Sequence, residues 1–170
     1  MKIPRLSRLR AVRGILRLIQ NMPDSAVILQ RDFLEAVSLL PKYNLSFDIC
    51  IDPHQSEHTI EMVSRCPSVS FVPDQMGKPE DRENWLGSWH ESMSELSSLP
   101  NVTCKLSGSL TQADHATWSE DQVPPLIDHT IDRFGVDRAF RRRLACAGTR
   151  GKLRAMGRYR RPRHAAPVAR

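Results

Sequence analysis

A chain of 170 residues, 40% apolar and 26% charged, holds one ordinary domain with a sizeable core and is too short for two large ones. These fractions are near globular averages, so composition excludes a chain disordered throughout, and no apolar run approaches the ~18 residues of a membrane span. The net charge of +6 hides a break: residues 139–170 carry 11 Lys or Arg and no acid, leaving 14 basic and all 19 acidic residues in the first 138. A basic block of this kind either attracts nucleic acid or an acidic surface or is simply solvated, and solvation is the plainer reading. The expected organisation is a basic N-terminal segment (1–10), a folded domain (11–138) and a disordered basic tail (139–170).

In chain order, Ala11 to Ile19 reads either as a short strand turning at Gly14 or as the start of a helix. Asp32 is the expected N-cap of a helix burying Phe33, Leu34, Ala36, Val37, Leu39 and Leu40 and ending near Pro41. Asn44 to Ile51 reads as a strand, and Asp52-Pro53 as an N-cap with Pro at the first helical position, opening a helix from Gln55 to Arg65. The alternation continues with a strand Val69 to Val72, a loop through Gly77-Lys78-Pro79, a helix around Trp85 to Leu99, a strand Val102 to Leu106 and a helix from about Glu120 to Phe134. Apolar strands separated by helices imply parallel pairing, in a doubly wound sheet or a barrel.

Four cysteines without C-x-x-C spacing read as reduced, buried thiols, which with no apolar leader points to a cytoplasmic protein. The six Lys or Arg of Met1 to Gln20 loosely match a mitochondrial targeting composition, but Pro4 and Val12-Arg-Gly-Ile15 argue otherwise. His54 and His58 share a helical face, yet without the Glu of H-E-x-x-H the pair is a weak metal signal, and no metal ligands are assigned. Chemistry concentrates at strand ends. Phe71-Val-Pro-Asp-Gln-Met-Gly-Lys-Pro79 and Asn101-Val-Thr-Cys-Lys-Leu-Ser-Gly108 are apolar strands that turn polar where they meet glycine, the pattern of parallel strands feeding a site at their C-terminal edge. Asp48, Asp74 and Lys105, on successive strands, are expected to form one buried polar cluster, because an unpaired buried charge is expensive.

These motifs, with Val12-Arg-Gly-Ile15, Leu18-Ile-Gln20, Phe33-Leu-Glu35, Leu45-Ser-Phe-Asp48 and Phe134-Gly-Val-Asp-Arg138 in the same order, resemble the amidohydrolase-related metal-dependent hydrolases of the lactonase branch, fuconolactonase-like and pyrone-dicarboxylate lactonase-like. The resemblance covers residues 11–138 and implies a partial (β/α)8 TIM barrel of about four parallel strands with helices. It also implies water attack on a small-molecule lactone or similar carbonyl substrate, with a divalent metal such as zinc in intact relatives. By resemblance, Asp74 and Gln75 occupy catalytic positions, and Arg13, Asp48, Lys78, Lys105 and Ser107 substrate-binding ones.

The chain departs from the family pattern at three places: it has no H-x-H, Gln75 replaces the His of D-H-x-G-K-P, and no D-W-P follows Arg138. The expected consequence is a hydrolase scaffold with impaired catalysis and no cofactor in this chain as it stands, self-associating through open sheet edges. Nucleic-acid readout is poorly supported, since only Tyr159 interleaves the basic tail. The alternative from another class is a non-enzymatic binding protein that uses that tail.

One reading of the departure near the C-terminus is a shifted frame, a hypothesis motivated by an acid-free run of Arg. If Phe140 to Cys146 is encoded TTT CGG CGG CGA CTG GCC TGT, the frame one base on reads Phe-Gly-Gly-Asp-Trp-Pro, the missing motif. Sequencing the transcript tests it; codons at Arg143 and Leu144 that abolish Asp-Trp in that frame remove the idea.

Overall fold

Alternating short apolar strands with amphipathic helices gives a curved parallel sheet whose strand order follows the chain. The structure, a computed structural model, describes residues 12–20, 22–79, 85–108 and 119–140. The basic N-terminal segment 1–10, the tail beyond Phe140 and Cys146 lie outside them. Strands β1 (Gly14–Leu18), β2 (Ser46–Cys50) and β3 (Phe71–Pro73) form one parallel sheet in that order. A bridge from Phe71 to Val102 joins it to β4 (Cys104–Lys105), which pairs in parallel with β5 (Ala139–Phe140). The intervening helices are α1 (Arg31–Ser38), α2 (Ser56–Arg65), α3 (Trp85–Ser98) and α4 (Val123–Phe134). This is part of the wall of a (β/α)8 barrel. β1 resolves the strand-or-helix alternative in favour of strand.

Register divides the side chains between two faces. Gly14, Leu16 and Leu18 pair with Ser46, Asp48 and Cys50, and Asp48 pairs with Val72, so these residues share the inner face. Phe47, Ile49, Ile51 and Phe71 point outward into the helix layer, all nearly or fully buried. Phe33 of α1 stacks edge-on against Phe47, which stacks edge-on against Phe71, with ring centroids 6.0 and 5.9 Å apart. Burying each such side chain stabilises by roughly 1.5–3 kcal/mol, which makes this line of rings a main source of cohesion.

The element boundaries depart from the sequence expectation for identifiable reasons. Asp32 is not the N-cap of α1; Gln30 holds that position, because a short 3-10 helix, Ser25–Leu29, runs straight into α1 and is itself capped by Asp24, whose Oδ1 accepts from Ala26 N at 2.8 Å. Asp32 instead sits in the first turn, where its charge complements the helix terminus. Val37 is buried, whereas Ala36 is exposed and Leu39 is 49% exposed, because α1 stops at Ser38 and the following 3-10 turn Leu40–Tyr43 turns Leu40 inward instead. β3 begins at Phe71 and not at Val69, since Asn101 Nδ2 draws the carbonyls of Cys66 and Val69 into a loop, at 3.2 and 3.1 Å. The expected Val102–Leu106 strand contracts to Cys104–Lys105 with one bridge at Val102.

Asp52-Pro53 does open a helical segment: a 3-10 turn, Pro53–Gln55, leads into α2. Gln55 can be buried to 1% exposure because both ends of its amide are bonded, Oε1 accepting from Asp52 N and Nε2 donating to Ile19 O at 3.0 Å. β5 lies just past Arg138, where the periodic signal ends; two residues are too few to leave one. Arg138 fixes this end, its guanidinium donating to Phe134 O, Leu99 O and Ser97 O and so tying the C-termini of α3 and α4 together.

Candidate functional site at the carboxyl edge of the strands

The strand ends converge on a buried charge cluster. Lys105, 4% exposed on β4, places Nζ 2.5 Å from Asp48 Oδ2 on β2 and 3.1 Å from Asp74 Oδ1 just past β3. The contact with Asp48 is a charge-assisted hydrogen bond, and the one with Asp74 an ion pair. Burial works against the ammonium, but hydrogen bonding and the field of the two carboxylates outweigh it and hold the Lys105 pKa above the ordinary lysine value. Asp48 also accepts from Ser46 Oγ at 3.4 Å.

A second group lies beside the first. Lys78, 5% exposed, is 3.8 Å from Asp52 Oδ1, and Cys50 Sγ donates to Gln20 Oε1 at 3.3 Å. Burial pushes the Cys50 thiol up, Lys78 opposes, and Asp74 and Asp52 add to the rise. Cys104 is raised more strongly by burial and by Asp74, so neither thiol is a ready nucleophile. Cys50, Cys66 and Cys104 are free and buried.

Asp74 opens a tight turn in which Gln75, Met76, Gly77 and Lys78 all have positive φ, between 53° and 65°. Gln75 packs its side chain over Gly108, also at positive φ: a Cβ there would lie 2.6 Å from Gln75 Cβ, so the close approach requires glycine. Asp74 Oδ1 and Ser107 Oγ are buried with no hydrogen-bond partner among the described residues.

The structure therefore brings together Asp48, Asp74, Lys78, Lys105 and Ser107 at one edge, with Gln75 in the same turn. Arg13 is placed elsewhere. It precedes β1 at the opposite end of the strands and lines a separate cavity of about 370 Å³ with Asn44, Ser46, Ser68 and Ser70. Sequence reasoning missed Cys50, Asp52 and Gln20. The period-2 pattern places Cys50 on the face of Asp48, whereas Asp52 reads locally as a cap only.

The amidohydrolase family model matches residues 5–140. The chain belongs to the amidohydrolase family. It is 31% identical to an L-fucono-1,5-lactonase of Burkholderia ambifaria over 137 residues, covering 80% of this chain and 47% of that protein. A Burkholderia multivorans L-fucono-1,5-lactonase is 29% identical, covering 75% and 46%. The crystal structure of a Burkholderia multivorans amidohydrolase with bound zinc superposes with a TM-score of 0.73 at 26% identity, over 81% of this chain and 52% of that one. This amidohydrolase chain thus spans about half the length of the relatives it matches.

Zinc in that neighbour raises the question of fit here. Among the described residues no three His, Cys, Asp or Glu gather as a metal would require. Lys105 already occupies the space between the two nearest carboxylates, and Gln75 offers an amide. These residues do not fit a zinc site.

Removing the ammonium strands two buried carboxylates. Lys105→Met is expected to cost about 3–5 kcal/mol in urea unfolding at pH 7. The Lys105 pKa is raised on folding, so its contribution is present below about pH 10.5 and lost as pH rises through the folded value. Stability of the native chain should accordingly fall above that pH more steeply than that of the variant; parallel pH profiles would contradict the assignment.

Proposed function

We propose that this amidohydrolase half-barrel binds a sugar lactone or a similar small carbonyl compound beside Lys105 and hydrolyses it weakly. The observation that carries the reading is the buried Asp74 Oδ1, which is ion-paired with the Lys105 ammonium but accepts no hydrogen bond among the described residues, together with the buried Ser107 Oγ two residues beyond Lys105, which has no hydrogen-bond partner there either. Buried polar groups are nearly always hydrogen-bonded, so a carboxylate oxygen held only by an ion pair and a hydroxyl without a hydrogen-bond partner suit a ligand that is itself polar. A lactone offers a carbonyl oxygen to Lys105 and Ser107 as donors, and sugar hydroxyls to Asp74. The likeness to L-fucono-1,5-lactonases supports that substrate class.

Hydrolysis requires water to add to the carbonyl carbon, negative charge to collect on its oxygen, and the ring C–O bond to break with a proton passing to the ring oxygen. Lys105 and Ser107 meet the second requirement, the electrostatic one. The first is poorly met. Gln75 cannot accept a proton, and a carboxylate is a weak base toward water of pKa about 15.7. Loss of a general base alone costs roughly 10²–10⁴-fold. Binding without efficient turnover is the result.

The test uses purified chain with L-fucono-1,5-lactone. Saturable stabilisation against heat is expected, lost in Asp74→Ala, with a hydrolysis rate within about tenfold of that variant. No lactone-dependent stabilisation would remove the substrate class. Turnover on the order of 10³-fold above Asp74→Ala would remove the impairment.

A further inference from the structure

The turn from Asp74 to Lys78 needs outside support. Each non-glycine residue held in the left-handed region costs on the order of 1–3 kcal/mol unless its surroundings over-determine it, and Gln75, Met76 and Lys78 are three in one turn. Its internal bond, Lys78 N to Gln75 O at 2.9 Å, cannot offset that alone. Helix α3 supplies the rest. Trp89, 1% exposed, donates its indole Nε1–H to Met76 O at 2.7 Å, Met76 is wholly buried, and Gly77 lies so close to Met93 and Trp89 that an added Cβ would sit 3.1 Å from Met93 Sδ.

The other side of Trp89 is lined by two imidazoles. His90 of α3 and His129 of α4 lie 4.9 and 5.2 Å from it and 4.4 Å from each other, centroid to centroid. His129 Nε2 bonds His90 O at 3.3 Å; a carbonyl only accepts, so Nε2 carries the hydrogen and Nδ1 is the position left to protonate. Both rings are part-buried, and a proton on each would put two like charges in contact.

We propose that His90 and His129 form a proton-operated latch that, through Trp89, locks and releases the turn presenting Asp74 and Lys78 to the site. With both rings neutral the α3–α4 seam is closed and Trp89 holds Met76 O. A proton in the seam is disfavoured by burial, by His90 and by Arg133, against which the bond to His90 O and Asp132 act in its favour, and the balance holds His129 below the ordinary histidine value. The other ionisable groups on the two helices are Glu91 and Glu95 of α3 and Asp128 of α4, with Arg138 bonded to the carboxyl ends of both; the elements packed against them carry Glu120 and Asp121 in the 3-10 turn before α4, both exposed, His54, Glu57, His58, Glu61 and Arg65 on the α2 side, and Asp74 and Lys78 in the turn itself, while β5 brings none. Below about pH 6.5 the charge is relieved by opening the seam, which withdraws the indole N–H and frees the turn to leave its left-handed conformation. The latch depends on this geometry and not on the lactone reading.

Amide hydrogen exchange of the segment containing residues 74–78, corrected for intrinsic rates, tests it in the full chain at pH 7.5 and 5.5. The expected result is exchange at least about tenfold faster at pH 5.5, abolition of that difference in His129→Gln, a smaller difference in His90→Gln, where burial of His129 still acts, and fast exchange at either pH in Trp89→Phe, which keeps the ring but loses the donor. Equal protection of the native chain at both pH values overturns the proposal, as does an undiminished pH response in His129→Gln. Because the readout is exchange, failure of the latch and failure of lactone binding are separate outcomes.

Discussion

The ammonium of Lys105 is the constraint on which the carboxyl edge of this sheet depends. It crosses from β4 to carboxylates carried by β2 and by the turn after β3, so three consecutive strands meet in one charge cluster. Such a cluster is costly to assemble, because each charge gives up its water, and it holds only while every member is present. With Asp52 and Lys78 beside it, the edge carries three carboxylates and two ammonium groups, an excess of one negative charge in a part-buried setting. That residual polarity, with two buried oxygens that make no hydrogen bond among the described residues, distinguishes the edge from the apolar helix-facing side of the same strands.

The turn after β3 shows how the sequence builds a strained element and then supports it from several directions. Gly108 opens space for Gln75, Gly77 allows α3 to approach, and Trp89 supplies the donor that Met76 O needs. Behind the sheet, Arg138 gathers the last carbonyls of α3 and α4, fixing the helix that carries Trp89 against the helix that carries His129. Site and support are therefore one connected structure, in which a single indole joins the helix seam to the turn after β3.

Much of this was legible from sequence where a local pattern and a global requirement agree. Asp48, Asp74 and Lys105 stand out because a charge inside or just past an apolar strand must find a partner, and parallel pairing offers few. The Asp52-Pro53 helix start was legible for the same reason. Asp32 misled because cap preference is local, whereas the preceding 3-10 helix that displaced it is held by Asp24, eight residues earlier. The start of β3 depends on Asn101, some thirty residues away, and no nearby residue signals it. Arg13 shares a strand segment with the inner face but sits at its far end, a distinction of direction that a motif does not carry. The role of Trp89 was hidden too, since a buried tryptophan on a helix reads as packing until its N–H is followed to Met76.

Lys105 and Asp48 act as one coupled pair holding the edge together. A double-mutant cycle on Asp48→Asn and Lys105→Met, read by urea unfolding at pH 7, measures that coupling apart from the effect of either substitution alone. The expected interaction energy is about 1.5 kcal/mol or more. Additivity within about 0.3 kcal/mol would contradict it.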